Sequence, residues 1–145
     1  MAYQVSVFLE NKLGKLGEVT AILSAEKINI RTSNLNHTDG GWGILNFIAN
    51  DPGAAFNALH RKGIPVVLRR IVAMEMSDGP GGLDDLLQKI LKVGINFTTA
   101  YSRVVGDGKA FFVIDVEDLP QAEERLSLAG IRILSDSVIY GHKSQ

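Results

Sequence analysis

The sequence predicts an α+β protein made of two tandem βαββαβ units, one over residues 1–69 and one over 70–145. Three observations carry that expectation. The first is that one stretch occurs twice. The register that lays Asn11-Lys12-Leu13-Gly14-Lys15-Leu16 on Asp78-Gly79-Pro80-Gly81-Gly82-Leu83 runs on without a gap. It places Ile28-Asn29 on Ile95-Asn96 and Gly41 on Gly108. It also places Asp51, Ala55 and Leu59 on Asp118, Ala122 and Leu126, and Gly63-Ile64 on Gly130-Ile131. Self-similarity of this kind marks a repeated structural unit. The second observation is that apolar residues switch between strand and helix spacing in the same order in both halves. The third is size. A unit of half this chain hides only about 60% of its surface on folding, so each is expected to lean on its neighbour.

The elements follow in order. Tyr3 to Leu9 alternates Val5, Val7 and Leu9 with Gln4, Ser6 and Phe8, a strand with one core face. The loop from Asn11 to Lys15 leads into a helix expected to bring Leu16, Val19, Ile22 and Leu23 to the core. Ile28 to Asn36 reads as a second strand, turned at His37-Thr38-Asp39-Gly40-Gly41 into a third, Trp42 to Ala49; an Asp-Gly pair between strands is a hairpin signal. Asp51 is placed to cap the second helix, with Pro52 in its first turn and Gly63 just past its end. Ile64 to Leu68 is the fourth strand. The second unit repeats the series: strand 70–76, helix 83–93, strand 95–104, turn Gly106-Asp107-Gly108, strand 109–116, helix 119–129, strand 131–138. The helix stripe is Leu83, Leu86, Leu87 and Ile90. This order is the split-βαβ, ferredoxin-like arrangement, and right-handed crossovers put both helices on one face of an antiparallel sheet. No linker separates the fourth strand of the first unit from the first strand of the second. The third strands are apolar on both faces, with Trp42, Ile44 and Ile48 outward in one and Phe111 and Val113 in the other, so the outer sheet face asks for a cover.

Composition sets limits. Of 145 residues, 46% are hydrophobic and 21% charged, with a net charge of −1, ordinary for a globular chain and without the basic block that nucleic acid or an anionic membrane attracts. The absence of cysteine excludes disulfides, thiolate metal sites and cysteine nucleophiles. Met1-Ala2-Tyr3-Gln4-Val5 opens without a basic region or a long apolar run, so neither a signal peptide nor a spanning segment is expected, and cytoplasmic residence is the default. The three histidines, His37, His60 and His142, read as solvated residues in a turn, on a helix surface and in the tail. No acid, base or nucleophile stands at suggestive spacing and no metal motif occurs, so the chain is expected to be no enzyme and to carry no cofactor. The Asp84-Asp85 and Glu123-Glu124 pairs lie at helix starts, where negative charge is favoured anyway. Lys109-Ala110-Phe111-Phe112-Val113 faintly echoes an RNA-binding strand, but the first strand of that unit offers Glu75 where a stacking aromatic is needed.

The residues with binding chemistry lie in the repeated loop. Its glycines remove side chains that would shield backbone amides, and Pro80 fixes one φ angle. The N–H groups at Gly81, Gly82 and Leu83, and at Gly14, Lys15 and Leu16, open a helix at its electropositive end, where a carboxylate can dock. Geometry alone is the plainer use of such glycines.

The doubled unit, with Asp78-Gly79-Pro80-Gly81-Gly82-Leu83 between first strand and first helix, resembles the ACT domain family over nearly the whole chain. Asn11-Lys12-Leu13-Gly14-Lys15-Leu16 matches the loop less closely, with Leu13 where the family usually has proline. The resemblance implies a non-catalytic regulatory module that binds a small effector, an amino acid, between ACT-like units. It implies contacts from the loop polar residues Asn11 and Asp78, and from the residues opening the second strand, Asn29 with Ile30 and Asn96 with Phe97. It pairs the loop of one unit with the asparagine of the other. The serine-binding type carries a histidine where this chain has Leu9 and Met76. The implied partners are the effector, a second copy of the chain and a regulated enzyme, with no nucleic acid and no membrane. The alternative is a ligand-free assembly or protein-partner module of the same fold. Asn29 and Asn96 read equally well as turn residues tolerant of left-handed backbone.

Overall fold

A computed structural model describes residues 2–116 and 121–142 of the chain. The chain divides into two compact units, Tyr3–Arg69 with Tyr140–Gln145, and Met1–Ala2 with Arg70–Ile139. In the first, β1 (Ala2–Glu10), α1 (Lys15–Ala25), β2 (Ile30–His37), β3 (Trp42–Ala49) and α2 (Pro52–Arg61) follow one another. β4 (Val66–Ser77) is one strand of 12 residues, so the expected fourth and fifth strands form a single element. Strand order in the first unit is β2-β3-β1-β4, with β3 antiparallel to both β1 and β2. The Phe8 N–H donates to Pro65 O at 3.0 Å on the far side of β1. In the second unit come α3 (Gly82–Val93), β5 (Ala100–Gly106), β6 (Lys109–Asp115), α4 (Ala122–Leu128) and α5 (Asp136–Tyr140). There β6 lies antiparallel between β4 and β5, and Ile133 bridges to Met74 on the other side of β4.

The repeat register is also the register of the two cores. Val5, Val7, Val19, Leu23, Leu45, Phe47, Ala55 and Leu59 form the first. Their counterparts Val72, Met74, Leu86, Ile90, Phe112, Ile114, Ala122 and Leu126 form the second. In each, the strand residues that alternate toward one face meet the helix stripe, which is why the helices lie on that face. Capping of α2 is as the sequence predicts: the Asp51 carboxylate accepts from the Ala54 N–H at 3.0 Å, and Gly63 has φ 74°.

Four details depart from expectation. Leu16 and Leu83 are not core residues; they stand 40% and 44% exposed at equivalent positions, one turn short of the buried stripe. β5 begins at Ala100 rather than 95, because the Asp115 carboxylate takes the backbone N–H groups of Thr98 and Thr99 at 3.0 and 2.6 Å. The apolar run expected as a strand over 131–138 forms only the Ile133 bridge and then turns helical. The Ser135 hydroxyl accepts from the Val138 N–H at 3.3 Å and Asp136 sits in the first turn, an N-terminal signal stronger than the strand pattern. The opening residues of the helix expected over 119–129 lie outside the described residues. Finally, the outer face of the first sheet has a polar middle. Gln4, Ser6 and Asn46 are buried, and Ser6 Oγ donates to Asn46 Oδ1 at 2.6 Å while Asn46 Nδ2 donates to Asn34 Oδ1 at 3.3 Å.

Candidate functional site

The repeated loop is built the same way twice. Its first polar residue is tied to the neighbouring hairpin turn, the Asn11 N–H donating to Gly41 O at 2.7 Å and the Asp78 N–H to Gly108 O at 2.9 Å. A left-handed glycine then opens each helix, Gly14 with φ 90° and Gly81 with φ 84°, and no side chain caps either one. Only glycine takes that backbone without strain, so the helix start is left to backbone groups and solvent. One amide of each expected cradle is already engaged: Lys15 N–H donates to Lys12 O at 3.2 Å and Gly82 N–H to Gly79 O at 3.0 Å. Gly82 also has a second duty. A Cβ there would lie 2.0 Å from Ser77 O, so the residue read as opening the cradle is needed for close packing of helix on strand. Asn11, Leu13, Gly14, Leu16, Asp78, Gly79, Pro80, Gly81 and Leu83 are all exposed, while Gly82 is buried and Lys15 half-buried.

Beside each loop lies a cleft between the end of the first strand, the start of the first helix and the turn after the second helix. In the first unit it measures about 260 Å³ and is lined by Phe8, Trp42, Ile64 and Pro65, with Lys15 and Glu18 at its edge. In the second it measures about 440 Å³ and is charged: Glu75 Oε2 lies 3.2 Å from Arg132 and Oε1 3.7 Å from Lys109. The linings correspond residue for residue, Phe8 to Glu75, Trp42 to Lys109 and Pro65 to Arg132. On the first loop, Lys12 and Glu10 pair at 2.7 Å; Lys12 holds the Glu10 carboxyl below its ordinary range and is itself pushed up.

The strand-opening residues lie elsewhere in each unit. Asn96 and Phe97 line a cavity of about 330 Å³ together with Gly94, Thr98, Asp115 and Arg125. Asp115 is 3% exposed, and its carboxylate accepts the Thr98 and Thr99 N–H groups and, at 2.6 Å, the Thr98 hydroxyl. The Arg125 guanidinium donates to Val93 O, at the end of α3, and lies across Gly94. Burial first, and then the Asp115 charge, push the Tyr101 hydroxyl well above its ordinary range. In the first unit, Asn29 and Asn50 exchange two bonds, Asn29 N–H to Asn50 Oδ1 at 2.9 Å and Asn50 N–H to Asn29 O at 3.0 Å. The segment 140–142 covers that corner. His142 Nε2 is 2.8 Å from Asn50 O, Gly141 lies against the Arg31 guanidinium, and the Tyr140 hydroxyl accepts from the Tyr3 N–H at 2.8 Å. Within the second unit, therefore, Gly82 of the loop and Asn96 of the strand opening line separate cavities. Sequence reasoning missed Asp115, Thr98 and Arg125. Asp115 closes the apolar run 111–114, and a carboxylate in that position was the available signal.

Two units of βαββα order, the second closed by the Ile133 bridge, each open their first helix on an uncapped left-handed glycine and define a tandem ferredoxin-like protein. The sequence profile of the family described as an ACT domain pair matches residues 1–139, and the chain belongs to that family. Among solved structures it is similar to a protein from Bacteroides thetaiotaomicron, at 31% identity over 96% of this chain and 95% of that one, with a TM-score of 0.86. It shares its fold with the ligand-free regulatory subunit of aspartate kinase from Thermus thermophilus, at 15% identity, 88% and 89% coverage and a TM-score of 0.65. The regulatory subunit from Thermus flavus is comparable, at 15% identity, 88% and 90% coverage and 0.62. No match is found among curated proteins. Among the described residues no helix is long and apolar enough to cross a membrane, and no group of three or more metal-ligating side chains comes together.

Proposed function

We propose that this chain is a non-catalytic regulatory sensor whose two ACT-like units, 1–69 and 70–145, hold an amino acid between a loop and a strand opening of paired units. The observation that carries this reading is the uncapped left-handed glycine at the start of both first helices, beside the exposed polar groups of Asn11 and Asp78. Such a helix start presents first-turn amides and positive dipole to a carboxylate. Asp78 offers the charge an ammonium needs, and the Asn29 and Asn96 side chains offer further donors and acceptors. The ACT domain pair, and the fold it shares with aspartate kinase regulatory subunits, support a regulatory role with a regulated enzyme as partner. The loops are unequal. Lys12, Leu13 and Lys15 crowd the first, whereas Gly79, Gly81 and Gly82 leave the second more open. We therefore assign the tighter site to Asp78, Gly81, Leu83 and the asparagine paired with them, Asn29.

A thermal-shift panel of the standard amino acids tests this. A ligand at a hundred times its dissociation constant stabilises the fold by about 2.7 kcal/mol, a melting shift of several degrees. Asp78→Ala is expected to remove most of that shift and Asn11→Ala to leave most of it. No shift with any amino acid would favour the second reading, a ligand-free assembly module. That reading has its own observation: Leu13 is fully exposed and Trp42 is 49% exposed.

A further inference from the structure

The first helices of the two units share a buried stripe but not the row beside it. On α3, Leu83, Leu87 and Leu91 stand four residues apart, a row about 12 Å long next to the core residues Leu86 and Ile90. Leu87 packs against the second core, but Leu83 is 44% exposed and Leu91 70%. The row climbs away from the core as the helix proceeds, and its last leucine faces solvent. In the repeat register the same row of α1 reads Leu16, Thr20 and Ser24. Thr20 and Ser24 are exposed, so the fold itself is satisfied by polar side chains at the places of Leu87 and Leu91. Asp84, Gln88 and Lys92 form a second row on the solvent side of the leucines. All three are exposed, and Gln88 Nε2 donates to Asp84 Oδ1 at 3.5 Å. Their counterparts on α1 are Gly17, Ala21 and Ala25, none of them charged. The helix dipole accounts for an acid at the start of α3 and a base at its end, but not for the leucines beside them.

We propose that α3 is the surface through which two copies of this chain pair, the two helices running antiparallel about a two-fold axis at Leu87 and Gln88. A two-fold contact uses the same patch on both copies, so the start of the row on one meets the end of the row on the other. Leu83 then packs on Leu91 of the second copy and Leu87 on Leu87, while Asp84 faces Lys92 at both ends. A parallel pair would set Asp84 against Asp84 and Lys92 against Lys92, so the charges select the antiparallel sense. The equivalent rows of α1 hold one leucine and no charge, which leaves α3 as the self-complementary helix of the two. This pairing does not depend on a ligand at the loops.

The chain has no cysteine, so single cysteines report the contact cleanly. Gln88→Cys, next to the axis, is expected to give a covalent dimer with a short bismaleimide, whereas Ala21→Cys, at the equivalent place on α1, should stay monomeric on denaturing gels. Sedimentation across a dilution series should show self-association weakened at least tenfold by Leu91→Glu, with an unchanged thermal melt because this side chain is exposed. Asp84→Lys and Lys92→Asp should each self-associate at least tenfold more weakly than the native chain. Mixed together they should pair with each other, since both ends of the mixed contact then join opposite charges. That recovery separates an interface from a purely structural role of the two residues, and the cysteine pair keeps the proposal testable if either charge variant fails to fold. A strict monomer at millimolar chain would overturn it. So would a dimer that Gln88→Cys does not cross-link, or one that Ala21→Cys cross-links equally fast, because the contact would then lie elsewhere.

Discussion

At the residue scale, two side chains give measurable handles. Tyr101 is protonated more firmly in the folded chain than in the unfolded one, chiefly through burial and secondly through Asp115. Its folded pKa is raised, so the stability it contributes is fully present below the ordinary tyrosine value of 10.0 and is lost as pH climbs beyond it. Urea melts between pH 9 and 11 should show a steeper alkaline loss for the native chain than for Tyr101→Phe. Parallel slopes would mean that Tyr101 does not titrate in the fold as its burial requires. Gly82 is the second handle. Gly82→Ala drives a methyl into Ser77 O, which is backbone and cannot swing aside. We expect a loss of about 1–3 kcal/mol, the usual cost of overpacking. Lys15→Ala, at the equivalent place in the first loop, should change stability by less than about 0.5 kcal/mol. The glycines of this loop looked alike in the sequence because each one explains an open backbone. Their separate duties, conformation at Gly81 and clearance at Gly82, depend on where Ser77 lies.

At the scale of elements, caps and strand alternation decided most of what could be read in advance. Asp51-Pro52 before an apolar stripe located α2, and the strand pattern located β1, β2 and β3 to within two residues, while the expected fourth strand runs on to Ser77. Asp51→Ala should lower stability by about 1 kcal/mol, seen as a fall of a few degrees in melting temperature; an unchanged melt would show that Pro52 alone starts the helix. The errors also have element-scale causes. Leu16 and Leu83 fit the helical stripe by spacing but fall in the opening turn, where both side chains stand outside the packed face. The last strand of the second unit was overruled by Ser135 and Asp136, two residues with short polar side chains that bind backbone more readily than a ladder does. The late start of β5 was invisible because its cause, Asp115, lies on a different strand. Of the candidate site, the glycine loops could be read from spacing. The charged cavity could not, since Thr98, Asp115 and Arg125 meet only through folding.

At the scale of the whole molecule, the outward rows of the sheets set the expectation of a homodimer or larger assembly. Trp42 remains half exposed, and Leu13, Leu16 and Leu83 add apolar surface at the loops. Light scattering is expected to return at least twice the 15.7 kDa of one chain; a strict monomer at high concentration would overturn that. Leu59→Ala and Leu126→Ala, at equivalent places in the two cores, should each cost about 2–5 kcal/mol in equilibrium unfolding. A cost well below that range for either one would mean that its core can collapse around the missing side chain.

The segment 140–142 adds a question of timing. Tyr140, with its hydroxyl on the Tyr3 N–H, belongs to the unit whose other residues end at Arg69. During synthesis that unit leaves the ribosome first, as N-terminal units do. It must then wait for the entire second unit to be translated before this piece arrives. Until then the corner at Asn29, Arg31 and Asn50 stands uncovered, so a nascent chain halted between the two units should be cut there by a protease that spares the finished protein.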